Sequence, residues 1–166
     1  MYNLKYNLII LDDKLSKLFI YYSLSGNGDI IADLLNQNGY DFRKVTPKKK
    51  LKNNFFGIFR GGFYAGLNKK FKLVDYDNNV SNYDEIVIGS PIWNSKFSCP
   101  INTVLNVTDL SNKKISFILY SGSGEATKAL DKINDNYKNA KVVILKEPKK
   151  HNEELKKLEE FINEKR

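Results

Sequence analysis

Ser23-Leu24-Ser25-Gly26-Asn27-Gly28 concentrates residues of one chemical use. Ser23, Ser25 and Asn27 carry short side-chain hydrogen-bond donors, and Gly26 and Gly28 lack the Cβ that would keep a backbone away from a bound anion. Before them runs Leu18 to Tyr22, continuously apolar and aromatic, as in a strand buried on both faces. After them Ile30, Ile31, Leu34 and Leu35 recur at helical spacing. The order is strand, tight turn, helix. The first N–H groups of such a helix have no internal partner and lie at the positive end of its dipole, so a phosphate fits there. Serine, asparagine and glycine also make ordinary turns, and on this stretch alone a capped connection explains them equally well.

Two other loops carry related signals. Ser90-Pro91-Ile92-Trp93-Asn94-Ser95 follows the short apolar run Glu85 to Gly89. It reads as a proline-fixed turn presenting the only tryptophan at the carboxyl edge of a sheet, where open α/β folds bind ligands. The plainer reading is a tryptophan that covers the core. Ser121-Gly122-Ser123-Gly124 follows the run Lys114 to Tyr120 and opens a helix through Ala126, Ala129, Leu130 and Ile133. Alone it is a standard connection.

The elements that must position these loops alternate strand and helix. Tyr40 to Val45 is a second strand after the helix stop Asn38-Gly39, and Lys141 to Leu145 is a fifth. Asn152 is placed to cap a last helix that turns Leu155, Leu158, Phe161 and Ile162 inward. Leu51, Phe55, Phe59, Phe63 and Leu67 recur every fourth residue, among Lys48, Lys49, Lys50, Lys52, Arg60, Lys69, Lys70 and Lys72. The expectation is a crossover helix packing this stripe on the sheet with its lysines in water, and the competing reading is a basic amphipathic surface helix. Gly57, Gly61, Gly62 and Gly66 make it a poor isolated helix and point to close backbone packing or a break.

Composition narrows the function classes. The 166 residues suit one domain, and the 42% hydrophobic fraction lies above the disordered range. A net charge of +8 favours acidic partners or anionic surfaces. The lone Cys99 forms no internal disulfide, which fits a cytoplasmic protein. No stretch reaches the roughly 20 apolar residues that cross a bilayer. There is no Gly-x-x-x-x-Gly-Lys, and Gly26-Asn27-Gly28 lacks the third glycine and later acidic partner of a dinucleotide fingerprint, so these two phosphate loops are excluded by spelling and neither a nucleoside triphosphatase nor a Rossmann dehydrogenase is expected. Leu11-Asp12-Asp13 has the spelling of a response-regulator receiver, but the later strand ends in Gly89-Ser90-Pro91 and not in an aspartate. His151, the only histidine, falls in the last connection, away from the ligand edge.

Ser23-Leu24-Ser25-Gly26-Asn27-Gly28 resembles the phosphate loop of flavodoxins, Ser/Thr-x-Ser/Thr-Gly-x-Thr, with Gly28 where the family usually has threonine. Ile-Val-Ile-Gly-Ser-Pro-Ile-Trp-Asn-Ser, followed by Pro100 to Leu105, resembles the third strand, flavin loop and next helix of short-chain flavodoxins. Many relatives have glycine at the position of Ser95, where a peptide turns over to meet flavin N5 on reduction, and serine adopts φ > 0 less freely.

The resemblance covers nearly everything after Lys17. It implies a three-layer doubly wound α/β fold with a five-stranded parallel sheet in the order 2-1-3-4-5, over residues 17–166. Before it stands a leader of residues 1–16, in which Tyr6 to Leu11 reads as a short strand that either pairs at a sheet edge or lies loosely on the surface. It implies FMN as cofactor: phosphate on Ser23 to Gly28, ring against Pro91, Ile92, Trp93, Asn94 and Ser95, ring edge on Ser121, Gly122, Ser123 and Gly124. The function expected is electron transfer between protein partners with acidic docking surfaces, without nucleic acid. The alternatives are an NAD(P)H-dependent flavin or quinone reductase on the same fold, or a flavin-free basic binding module.

Overall fold

The computed structural model describes residues 16–49 and 55–164. The expected leader strand Tyr6 to Leu11 and the first residue of the aromatic stripe, Leu51, lie outside the described residues, as do the side chains of its next two, Phe55 and Phe59. The elements are β1 (Lys17–Tyr21), α1 (Asn27–Gln37), β2 (Asp41–Lys44), α2 (Phe55–Gly66), β3 (Glu85–Trp93), β4 (Lys96–Phe97), α3 (Cys99–Val107), β5 (Lys114–Ser121), α4 (Thr127–Asn136), β6 (Lys141–Lys146) and α5 (Glu153–Asn163).

Five parallel strands stand in the order β2-β1-β3-β5-β6, and the two-residue β4 pairs antiparallel with the end of β3. With β4 set aside this is the expected 2-1-3-4-5 order. Period-2 alternation divides the core between the faces. Leu18, Ile20, Ile86 and Ile88 join Ala65 of α2, Ile101 and Val104 of α3, and Ala129 and Ile133 of α4. Phe19, Tyr21 and Val87 join Ile31 and Leu35 of α1 and Leu158, Phe161 and Ile162 of α5. Three layers result, and all five parallel strands end at the edge that carries the three loops. Asn152 stands at the start of α5 without a side-chain capping bond. Glu154 ties that turn instead, its carboxylate accepting from the Lys146 N–H at 2.9 Å.

The third parallel strand is longer than the sequence predicts. It does not stop at Gly89 but runs on through Ser90, Pro91 and Ile92 to Trp93. The Tyr22 N–H donates to the Gly89 carbonyl at 3.3 Å, so Gly89 and, two residues on, Pro91 turn their polar groups to the β1 side. There β1 has already ended, and the N–H that proline lacks has no ladder partner to satisfy. The turn falls at Asn94 and Ser95, with φ 51° and 61°. Two such residues in succession make the tight reversal that joins twisted antiparallel strands. The serine adopts the left-handed conformation expected of a glycine.

The end of the expected stripe, Phe63 in helix α2 and Leu67 in the turn after it, faces away from the sheet. The buried line of α2 is Gly57, Gly61 and Ala65, while Phe63 is 60% and Leu67 55% exposed. The cause is Trp93, whose ring lies directly beneath the helix: a Cβ on Gly61 would come within 3.0 Å of it. One bulky ring fills the space that several helix side chains would otherwise occupy, and only a backbone without side chains can approach it.

Cys99 is buried at the start of α3, where burial pushes its thiol up to about 11. It is therefore a small apolar group at neutral pH.

This packing separates two adjacent glycines. Replacing glycine by alanine in a helix ordinarily stabilises by about 1 kcal/mol. Gly62 has open space within 4 Å, so Gly62→Ala should gain about that much. Gly61→Ala should instead cost about 1–3 kcal/mol through the forced contact with Trp93. Urea midpoints of the two variants check this, and equal shifts would contradict the packing.

Candidate functional site

The three loops meet in one cleft of about 200 Å³ at the carboxyl edge of the sheet. Its lining is Leu24, Ser25 and Asn27 from the first loop, Pro91, Ile92 and Trp93 from the second, and Tyr120, Ser121 and Gly122 from the third, with Glu147 beside them. Turns nearly a hundred residues apart in sequence become neighbours because β1, β3 and β5 are adjacent and parallel.

The first loop is built around Ser23. Its Oγ accepts from the N–H groups of Gly26 and Gly28, both at 3.1 Å, drawing the turn tight at the entry of α1. Gly26 stands at the N-cap with φ 94°, a conformation that favours glycine. The Asn27 side chain donates to Ser25 Oγ at 3.1 Å, and its carbonyl accepts from the Lys149 N–H at 3.0 Å. Lys149 then lies over the loop, its ammonium 3.5 Å from the Ser25 carbonyl and 2.9 Å from where a Cβ on Gly26 would stand. The β6–α5 connection, which carries His151 and is expected from the sequence to lie away from the ligand edge, comes instead to that edge, and its Lys149 adds a full positive charge to the partial charge of the helix end. The acidic residue of the first helical turn, Asp29, is neutralised by Lys44 at 2.7 Å and accepts from the Tyr21 hydroxyl at 3.0 Å. Both features make this end of the cleft suitable for an anion.

Gly28 faces inward. A Cβ there would stand 2.6 Å from the Tyr120 hydroxyl, 2.8 Å from the Tyr21 ring and 3.0 Å from Ser23 Cβ. The Tyr120 hydroxyl donates to the Tyr22 carbonyl, and Tyr120 is fully enclosed. Burial, aided by nearby Tyr21 and Asp29, pushes its phenol well above the usual range and keeps it a donor. The departure from the flavodoxin threonine at this position has its reason here: a tyrosine from β5 fills the place that a side chain on residue 28 would need.

The second loop differs from the open tryptophan surface expected. Trp93 is 7% exposed, roofed by Gly61 and met edge-on by Tyr22 at 5.8 Å between ring centroids. It borders the cleft with a small part of its surface, and Pro91 and Ile92 supply most of the apolar wall. Asn94 and Ser95 form the hairpin turn outside the lining, where the Ser95 carbonyl accepts from the Ala129 N–H at 2.8 Å. In the third loop Ser121 Oγ accepts from the N–H groups of Gly124 and Glu125, at 2.9 and 3.1 Å, leaving Ser123 and Gly124 outside the lining. Glu147 is held by its N–H on the Ser121 carbonyl at 3.1 Å and paired with Lys150 at 2.7 Å.

Tyr120, Glu147 and Lys149 are absent from the site read in the sequence. Tyr120 ends an apolar strand and looks like core, and the contact of Lys149 with Asn27 spans 122 residues. No local pattern announces either.

A flat heteroaromatic monophosphate suits this donor set: a cationic turn with serine and asparagine side chains at one end, an apolar wall in the middle, and a serine–glycine turn opposite. Fold and site together define a flavodoxin-like α/β domain. The sequence pattern of the flavodoxin family matches residues 67–164, more than half of the chain, and the protein belongs to that family. Among solved structures, a candidate flavoprotein from Bacteroides uniformis ATCC 8492 is 24% identical with TM-score 0.67, over 77% of this chain and 86% of that one. A flavoprotein from Lactobacillus acidophilus NCFM, solved in complex with FMN, is 22% identical with TM-score 0.59, over 78% and 90%. Oxidised flavodoxin 1 from Bacillus cereus is 15% identical with TM-score 0.51, over 90% and 95%. These likenesses establish the shared fold. No curated protein matches the chain.

If Tyr120 occupies the place of the missing threonine, restoring that residue will harm the protein. Gly28→Thr should lose about 1–3 kcal/mol of stability, because the enclosed ring has nowhere to go. Gly122→Ala, at a position open to 4 Å, should stay within about 0.5 kcal/mol of the parent. Chemical denaturation of both variants measures the contrast, and a neutral Gly28→Thr would contradict it.

Proposed function

We propose that this protein binds FMN without a covalent link and carries electrons between protein partners. The observation that supports this most is the meeting of the three loops in one cleft whose chemistry changes from cationic, with hydroxyl and amide side chains, to apolar to small and polar. Each end matches a different part of one ligand. The turn Ser23 to Gly28, with Ser25, Asn27 and Lys149, would hold the phosphate. Pro91, Ile92 and the exposed strip of Trp93 would lie along the ring, with Asn94 and Ser95 shaping the hairpin that carries them. Ser121 and Gly122 would meet the ring's polar rim, and Ser123 and Gly124 would hold that turn in shape.

Bound FMN would supply the redox chemistry, and the chain's own part is to grip, orient and shield it. Ser23 pre-organises the phosphate turn by fixing two of its N–H groups. Lys149 contributes charge that a neutral ligand cannot use. The apolar wall excludes water from one side of the ring. A net charge of +8 would raise the potential of a reduced, anionic flavin and steer acidic partner faces toward this protein. A compartment that keeps thiols reduced, as the cytoplasm does, suits a chain whose only cysteine is buried and unpaired.

The experiment is a titration of flavin-free protein with FMN and with riboflavin, followed by quenching of flavin fluorescence. FMN should bind the more tightly. Lys149→Ala should weaken FMN about tenfold, the effect of one charge-assisted contact, and leave riboflavin unchanged. Quenching that is absent with both flavins would overturn the reading. If FMN binds and NADPH alone then bleaches it in repeated turnover, the protein is the reductase and not the carrier.

A further inference from the structure

Among the described residues, the outward side of α2 and of the turn after it exposes two large apolar side chains outside the cleft, and Phe63 meets the Tyr64 ring at 5.9 Å between centroids. Phe63 and Leu67, one turn apart, are 60% and 55% exposed. They lie opposite the buried line Gly57, Gly61 and Ala65 that rests on Trp93. Beside them Tyr64 carries cations on its ring, Arg60 at 5.9 Å and Lys69 at 5.1 Å from the centroid.

The stretch of sequence that carries this face has charge of one sign. From residue 48 to residue 74 the sequence has eight lysines and arginines and no aspartate or glutamate, so this stretch carries as much charge as the whole chain's net +8. The cations cluster before and after the helix, with only Arg60 inside it. Twelve residues of helix are about 18 Å long, too short to cross a bilayer but long enough to lie along one. No described helix is long and apolar enough to span a membrane.

We infer that the outward face of α2 docks on an anionic lipid surface, with Phe63 and Leu67 entering the acyl boundary and the flanking cations resting on the headgroups. Charge complementarity calls for a negative partner, and the two apolar side chains choose between negative partners. An acidic protein face would be met by the cations alone and would leave Phe63 and Leu67 against carboxylates. A lipid surface takes both, with apolar groups in the boundary and lysine stems reaching back to phosphate. The glycine line is the structural means: with Gly61 seated on the Trp93 ring, that side of the helix carries no large side chain, and Phe63 is left facing outward. The inference stands on this face alone and does not depend on FMN.

The test is co-sedimentation of the full chain with vesicles of phosphatidylcholine and of phosphatidylcholine mixed about 1:1 with phosphatidylglycerol. Binding to the anionic vesicles should be at least about tenfold tighter and should weaken as salt rises from about 0.05 to 0.5 M. The double variant Phe63→Ser/Leu67→Ser should lose at least about tenfold in binding with an unchanged melting temperature, and Phe63→Leu should retain it. Equal binding to both vesicle types, or no binding, would overturn the inference. So would a double variant that binds anionic vesicles as well as the parent, because the face would then be purely electrostatic and suited to an acidic protein. A double variant with a lowered melting temperature would also overturn it, because Phe63 and Leu67 would then be packing residues.

Discussion

The loops that make the cleft are held in place by one buried contact, the Tyr120 hydroxyl donating to the Tyr22 carbonyl beneath Gly28. It joins the end of β5 to the end of β1 across β3, which lies between them. Every part of the site is reached from that junction. The phosphate-type turn begins at the next residue, Ser23. The third loop begins at Ser121, immediately after the tyrosine. Pro91, the start of the cleft's apolar wall, is paired in register with Tyr120 itself. A hydroxyl enclosed this completely must keep its partner, since an unpaired one would cost about 1–3 kcal/mol. The junction therefore reinforces the mutual position of the three turns, which the adjacent parallel strands set.

A second packing decision, Gly61 on Trp93, links the cleft to the outer surface. The tryptophan's burial under α2 leaves only a strip of it in the cleft, so the apolar wall there rests on Pro91 and Ile92. The same contact sets the rotation of α2, which turns Phe63 and Leu67 away from the body. Site and surface are thus two sides of one helix–ring contact. A substitution at Gly61 would disturb both.

Much of this was legible in the sequence because it is written in periods and short spellings. The apolar runs at Leu18 and Lys114, the change to helical spacing after Ser23 and the small polar turns give strands, helices and their order without reference to anything distant. Of the residues read from the loops, Leu24, Ser25, Asn27, Pro91, Ile92, Trp93, Ser121 and Gly122 line the cleft, whereas Ser23, Gly26, Gly28, Asn94, Ser95, Ser123 and Gly124 lie outside its lining. What escaped was decided by partners far along the chain. Periodicity marks the apolar side of α2 but not what lies under it, and a single buried ring left the end of the stripe facing outward. Pro91 looks like a strand stop, yet it continues the strand because β1 ends first. Ser95 reaches φ 61° because a two-residue reversal demands it. Lys149, one lysine among many, gains its meaning only when the β6–α5 connection is brought over Gly26.

The most direct measurement of the central claim is a map of backbone amide chemical shifts on adding FMN to the flavin-free protein. Perturbations should gather at three remote stretches, residues 23–28, 91–95 and 121–124, together with Glu147 and Lys149, and should leave the amino ends of the strands untouched. Shifts confined to one of these stretches, or scattered over the lysine-rich surface, would contradict a single cleft built from all three.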